Sequence, residues 1–182
     1  MVFNEGNVLP AARTEKEFES LLRGHHEFIV LLNSHIAQLK SMIGLAKKAN
    51  KKVLLHADLI QGLAQNEYAA QFICQQLRPE GLISTRKQML KTARQHKMTA
   101  VQRLFLLDSI ALETSYRLID DVKPDVIEVL PGVIPGMIRE VAEKTKLPIV
   151  AGGLIRTKEE AEAALGAGAV AISTTRKELW DI

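Results

Sequence analysis

Eight short apolar runs, each parted from the next by a segment with helical spacing, predict an α/β fold built on a parallel sheet. Strict alternation requires a crossover after every strand, and eight such units close into a compact TIM-type (β/α)8 barrel. At 182 residues the chain is shorter than the roughly 250 usual for this fold. One domain over residues 1–182 is therefore expected, with minimal loops and a last helix of barely two turns.

The first strand is read at Val8 to Ala12, and it is the weakest because it is short and holds Pro10. A barrel whose first strand is irregular or missing is the alternative, and an open doubly wound sheet comes third. Thr14 with Glu17 has capping-box spacing and starts the first helix. Phe28 to Asn33 follows as a strand, then a helix with Ile36, Leu39, Ile43 and Ala46 on one face. The third strand, Val53 to Asp58, leads into DLIQGLAQNEY, a connection longer than such loops need to be; it either folds over the barrel mouth or simply packs. Ala69, Phe72, Ile73 and Gln76 line one face of the next helix, with Cys74 beside them as a packing residue.

Strands at Gly81 to Ser84, Ala100 to Arg103, Val126 to Leu130, Ile149 to Gly152 and Val170 to Thr174 complete the set. Thr85 with Gln88, Thr157 with Glu160 and Thr175 with Glu178 repeat the capping-box spacing, and Asp108 before Ser109 reads as a helix cap. Gly166 and Gly168 close the helix before the last strand.

Composition is that of a globular protein, 47% hydrophobic and 25% charged. No apolar run reaches the ~18 residues of a transmembrane helix, and Glu5 interrupts the start of the chain, which counts against a secretory leader. The single cysteine allows no internal disulfide. A cytoplasmic location without membrane association is expected; a homo-oligomer stays open.

The ends of parallel barrel strands gather at one face, where function collects. AGGLIRT and AISTTRK fall after the last two strands, the usual place of a phosphate site. Glycine lets the backbone approach an anion, and free N–H groups with a helix dipole attract it. Gly152, Gly153, Arg156, Ser173 and Thr174 are the candidates, with Thr175 and Arg176 nearby. The bland reading makes Gly-Gly a turn and the threonines caps. His56 and Asp58 are two apart and point to the same side of a strand. Glu128 sits in the apolar run VIEVLP, and Arg103 on the neighbouring strand is its natural partner. These four are ligand-contact candidates, or else a buried structural set.

No hydrolytic or metal motif is present, and no catalytic residue is assigned. Asp58, Asp108 and Glu128 are the acids available to gather around Mg²⁺, but a metal site is not expected, nor is a cofactor.

Net charge is only +3, yet it is unevenly spread. Residues 28 to 107 hold twelve Lys and Arg against three acids, a balance of +9, while the rest balances at −6. Such asymmetry suits a polyanionic partner, although lysine clusters are commonly just a solvated face. Lys47, Lys48, Arg86, Lys87, Lys91, Arg94 and Lys97 are the RNA-contact candidates. Scarce aromatics favour phosphate-backbone contact over base stacking.

KKVLLHADLIQGL, GLISTRKQ, VQRLFLLDSIALE, DVIEVLPGVIP and PIVAGGLIRT closely resemble the glycerol-uptake operon antiterminator regulatory proteins of Gram-positive bacteria. The likeness runs from VLPAAR to ELW. It implies a TIM-type barrel that senses glycerol 3-phosphate as an effector and binds leader mRNA, preventing premature termination of glycerol-utilisation genes. It implies a regulator and not an enzyme. The alternative is an enzyme on the same scaffold, prenyltransferase-like and acting on a glycerol phosphate, with Asp58 or Glu128 near a diphosphate-bound Mg²⁺. Such an enzyme would need an apolar groove, for which the sequence shows no clear lining.

Overall fold

The computed structural model describes Phe3 and residues 7–182; Glu5 lies outside them. In chain order come β1 (Asn7–Ala12), α1 (Glu15–Arg23), β2 (Phe28–Leu31), β3 (Ser34–His35), α2 (Ile36–Lys48) and β4 (Lys52–His56). A 3-10 turn (Ala57–Leu59), β5 (Ile60–Gln61), α3 (Glu67–Phe72), a π-helical turn (Ile73–Leu77), β6 (Gly81–Ser84) and α4 (Lys87–Gln95) follow. The remainder is β7 (Thr99–Phe105), α5 (Ser109–Val122), β8 (Val126–Leu130), α6 (Pro135–Thr145), β9 (Ile149–Gly152), α7 (Lys158–Gly166), β10 (Ala169–Thr174) and a 3-10 turn (Lys177–Leu179). Eight strands form a closed parallel barrel in the order β1-β10-β9-β8-β7-β6-β4-β2, the TIM-type fold; β3 and β5 pair apart from it. Two compact units make up the chain, one of Pro10–Ala100 and one built on Val101–Ile182. Among the described residues no helix is long and apolar enough to cross a membrane.

In the Pro10–Ala100 unit, β1 is a regular strand. Pro10 precedes the residues that pair with β2, Ala11 opposite Val30 and Ala12 opposite Leu31, so the expectation of an irregular or missing strand falls. β2 and β6 are buried at every position, as strands of a parallel sheet covered on both faces must be. β2 stops at Leu31, short of the expected Asn33, and Ser34–His35 leaves to pair with Ile60–Gln61. The long connection after β4 is therefore partly structured: a 3-10 turn and a short strand in place of a free lid. In α2 the buried stripe is Leu39, Met42, Ile43 and Ala46, whereas Ile36 at the first turn is exposed.

The face expected on the third helix is also displaced. The α-helix ends at Phe72 and the π turn shifts the phase, so Ala69, Ala70, Ile73, Cys74 and Leu77 are buried while Phe72 and Gln76 are exposed. Cys74 packs as expected, and burial pushes its thiol up to about 11. The Thr85–Gln88 capping box does not form. Thr85 Oγ1 donates to Asp58 Oδ2 at 3.0 Å, leaving α4 to start at Arg86 without a side-chain cap.

In the unit of Val101–Ile182, Leu104, Ile127, Val129, Ile149, Ala151 and Ile172 form the apolar layer that the helices cover, through Ile138, Val141, Ala161 and Ala164. Asp108 caps α5 by accepting from Ala111 N at 2.7 Å. The expected box at α7 is real and closed: Thr157 Oγ1 accepts from Glu160 N, and Glu160 Oε2 accepts from Thr157 N, both at 3.2 Å. The Thr175–Glu178 box is not; the last helix is a single 3-10 turn that begins at Arg176, too short to be capped that way.

Candidate functional site

Four strand ends in the Val101–Ile182 unit converge on Glu128. Arg103 of β7 lies opposite Glu128 of β8, and Ser173 of β10 lies opposite Gly152 of β9. Arg103 Nε donates to Glu128 Oε2 at 3.2 Å, and Ser173 Oγ donates to Glu128 Oε1 at 2.6 Å. Glu128 is 6% exposed, so each oxygen needs the partner it has. The expected Arg103–Glu128 pair is present, with Ser173 as a third member. Gly152 leaves room for it: a Cβ there would sit 2.5 Å from Ser173 Oγ and 2.8 Å from Glu128 Oε1. On its other side the Arg103 guanidinium lies 4.6 Å from the centre of the Phe105 ring.

Beyond Gly152 the chain makes a left-handed turn, φ +74° at Gly153 and +63° at Leu154. Gly132 N donates to Gly152 O at 2.6 Å and to Gly153 O at 3.1 Å. The Gly153 and Leu154 N–H groups are antiparallel to those carbonyls across their trans peptides, so both point away from Gly132. Two successive N–H groups on an exposed turn make a concavity suited to an anion.

The helix that follows does not add to it. Glu160 Oε2 takes the Arg156 N–H at 2.6 Å, and Glu159 and Glu160 occupy the first turn of α7, so its positive end is already filled by its own acids. Arg156 is exposed beside this turn. Thr174 is buried, and its Oγ1 accepts from Arg176 N at 3.1 Å while its carbonyl accepts from Trp180 Nε1 at 3.1 Å. Of the expected phosphate group, then, Gly153 and Arg156 face outward, Ser173 is bound to Glu128, and Thr174 works as a turn cap.

In the Pro10–Ala100 unit, His56 ends β4 and is 2% exposed. Asp58 lies off the strand in the 3-10 turn, so the rule that residues two apart share a face does not reach it. Its carboxylate accepts from Ser84 Oγ, from Thr85 N at 2.8 Å and from Thr85 Oγ1. Arg86 Nε donates to Gln65 Oε1 at 3.1 Å, and Gln65 Nε2 donates to Asp58 O at 2.8 Å. Asp58 thus fastens the end of β6 to the turn after β4. Asp58, Asp108 and Glu128, the three acids weighed for Mg²⁺, each hold a local partner of this kind.

The basic candidates divide along the helices. Arg86 and Lys87 stand at the start of α4, whereas Arg94 and Lys97 lie at its end, roughly 13 Å away at 1.5 Å per residue. Lys47 and Lys48 occupy the last turn of α2. Phe105, Gly132, Gln65 and Arg78 were missed. Phe105 was within reach of sequence reasoning: two places after Arg103 on one strand, it must share that face. Nothing in the sequence ties Gln65 to Asp58.

Residues 8–180 match the family model described as glycerol-3-phosphate responsive antiterminator. The chain belongs to this family. A solved glycerol uptake operon antiterminator regulatory protein from Listeria monocytogenes is 42% identical, covering 100% of this chain and 98% of that one, with a TM-score of 0.97. A glycerol uptake operon antiterminator-related protein from Thermotoga maritima is 29% identical over 99% of both chains, at 0.86. The uncharacterized protein YgcP of Escherichia coli is 32% identical over 100% of this chain and 95% of its own length. In this family member the Gly153–Leu154 turn and the Glu128 cluster follow the strand ends where barrels of this fold carry their sites.

Proposed function

We propose that this protein is a glycerol 3-phosphate-responsive transcription antiterminator: a cytoplasmic regulator that binds the leader mRNA of glycerol-utilisation genes and prevents premature termination. The match along residues 8–180 carries the reading, since the family's description joins this ligand to this activity. The strand-end turn after β9 and the Glu128 cluster support the reading. The phosphate docks on the N–H groups of Gly153 and Leu154 with Arg156 alongside, and the glycerol hydroxyls meet the Arg103–Glu128–Ser173 cluster, whose carboxylate accepts and whose guanidinium donates. In the other unit Asp58 holds the end of β6 to the turn after β4, and His56 is buried at the end of β4. RNA takes the phosphate-backbone mode on the basic sector of residues 28 to 107. No cofactor or metal enters this scheme.

The enzyme reading draws on one observation. Leu107 and Leu154 stand exposed on the loops after β7 and β9, and Ile110 on the first turn of α5, at 78%, 60% and 79%: three apolar side chains the sequence reading had not singled out. Against Schiff-base chemistry, the strands carry a single lysine, Lys52 at the start of β4, paired with Glu27 at 2.8 Å.

Calorimetry with glycerol 3-phosphate, glycerol and inorganic phosphate tests the ligand, and product analysis with glycerol 3-phosphate plus an allylic diphosphate tests the alternative. Tight binding of glycerol 3-phosphate alone, without product, supports the regulator. Turnover would overturn it.

A further inference from the structure

The basic residues of the Pro10–Ala100 unit build a groove at the end of the unit where α2, the π turn and α4 finish. Two depressions adjoin there and share Arg78. One, of about 350 Å³, is lined by Gln75, Arg78 and His96 with Cys74 and Met98 at its back. The other, of about 70 Å³, is lined by Lys47, Lys51, Lys52 and Arg78 among others.

Three of its cations are held in place by neutral groups, while Lys52 pairs with Glu27. Lys47 Nζ donates to Leu77 O at 3.0 Å, Lys51 Nζ to Gly24 O at 2.6 Å and His26 O at 2.8 Å, and Arg78 Nε to Gln75 O at 3.1 Å. A carbonyl orients an ammonium without cancelling its charge, so these contacts preorganise the groove and leave it positive. Arg78 itself sits at φ +51°, where the π turn ends, which throws its side chain out of helical phase and into both depressions.

The bland alternative is that lysines here only offset helix C-termini. Magnitudes decide against it. The segments 47–52, 78–80 and 94–97 contribute Lys47, Lys48, Lys51, Lys52, Arg78 and Lys97, against Glu80 within them and Glu27 on Lys52. Three helix ends contribute only about −0.5 charge each, so a surplus of some two positive charges remains. A concave positive channel with no aromatic platform in it matches a phosphodiester backbone better than a flat bilayer surface.

We infer that the RNA backbone runs through this groove with Arg78 at its centre, and not along Arg86 and Lys87 at the opposite end of α4. The inference rests on the RNA-binding reading above and names its surface.

Two double variants separate the ends: Lys48→Gln with Arg78→Gln, and Arg86→Gln with Lys87→Gln. Glutamine keeps a polar side chain with hydrogen-bond donors and removes the charge. Affinity for a glycerol-operon leader RNA is measured across a salt series, with glycerol 3-phosphate present and absent. Each lost phosphate contact removes about 0.7 to 1 from the log–log salt slope. At 0.1 M salt the groove variant should then bind roughly 25- to 100-fold more weakly, while the Arg86–Lys87 variant binds like the parent. Photo-crosslinking of 4-thiouridine RNA to the unaltered protein reads the surface without any variant, and should label peptides around Arg78. The reverse pattern, or crosslinks confined to residues near Arg86, overturns the groove and leaves RNA binding intact. Failure of the parent to bind the RNA in every ligand condition removes the RNA reading itself. Binding of vesicles rich in anionic lipid with none of the RNA would assign the groove to a membrane surface instead.

Discussion

Gly152 has no room for a side chain, because Ser173 and Glu128 meet where its Cβ would be. Gly152→Ala should push those two apart and cost about 1–3 kcal/mol by overpacking, read as a lower Tm and a lower denaturant midpoint. Gly153 is limited by conformation: at φ +74° its nearest neighbour for an added Cβ is Leu130 at 3.4 Å, an ordinary contact. Gly153→Val should therefore weaken glycerol 3-phosphate binding more than it weakens folding, since the strain is local and the turn is the proposed anion site. Equal affinity in a folded Gly153→Val protein would remove the phosphate from this turn. The Cys74 thiol offers a pH test. Its folded value of about 11 lies above the ordinary value near 9, so the stability it contributes is complete below pH 9 and is lost as pH rises toward 11. Denaturant titrations at pH 8, 9.5 and 11 should show a fall that Cys74→Ala lacks. At this scale the sequence was readable where a residue broke its context. Glu128 in an apolar run announced Arg103, and a double glycine at a strand end announced the turn. Ser173 and Thr174 read alike as strand-end hydroxyls, and only their neighbours in space divide them into a carboxylate partner and a turn cap.

Capping boxes show the same division among the elements. Thr14–Glu17 and Thr157–Glu160 form, each threonine accepting from the backbone N–H three residues on. Thr85 has the same spacing and is drawn off by Asp58, a carboxylate 27 residues earlier. Local pattern finds a cap; it cannot see a competitor brought in by the fold. The π turn after α3 is invisible for a related reason, since one extra residue per turn changes the buried face without changing composition. At α7 the closed box has a functional consequence: the helix N-terminus is reserved for Glu160. Thr157→Ala should cost about 1 kcal/mol of stability and leave ligand affinity unchanged, which isothermal titration on the folded variant would check. A matching loss of affinity would return the phosphate to this helix. The extra strands β3 and β5 tie the connection after β4 to the segment before α2. Loop length had left open whether this connection covers the barrel mouth or simply packs; the β3–β5 pairing shows it tethered.

For the whole molecule, the alternation of eight apolar runs with helical segments was enough to specify the closed parallel barrel, because parallel strands leave few other ways to cover both faces. Strand boundaries followed to within two residues, including β2, which stopped two residues early for a separate pairing. The charge asymmetry was equally readable, but its split between the two ends of α4 was not, as a helix carries its residues to opposite ends regardless of their closeness in sequence. Binding of ligand to the folded state alone should raise stability by about 2.7 kcal/mol at a hundredfold excess over Kd, with glycerol giving no comparable shift. A regulator must also transmit that binding. Effector and RNA should share a reciprocal coupling of about 1–3 kcal/mol, that is, a 5- to 150-fold change in affinity. The most direct measurement is the affinity of this protein for a glycerol-operon leader RNA at fixed salt, with and without saturating glycerol 3-phosphate. A change of that size, matched by an equal change in glycerol 3-phosphate affinity when RNA is bound, is expected; RNA affinity that is absent, or identical in both conditions, would contradict it.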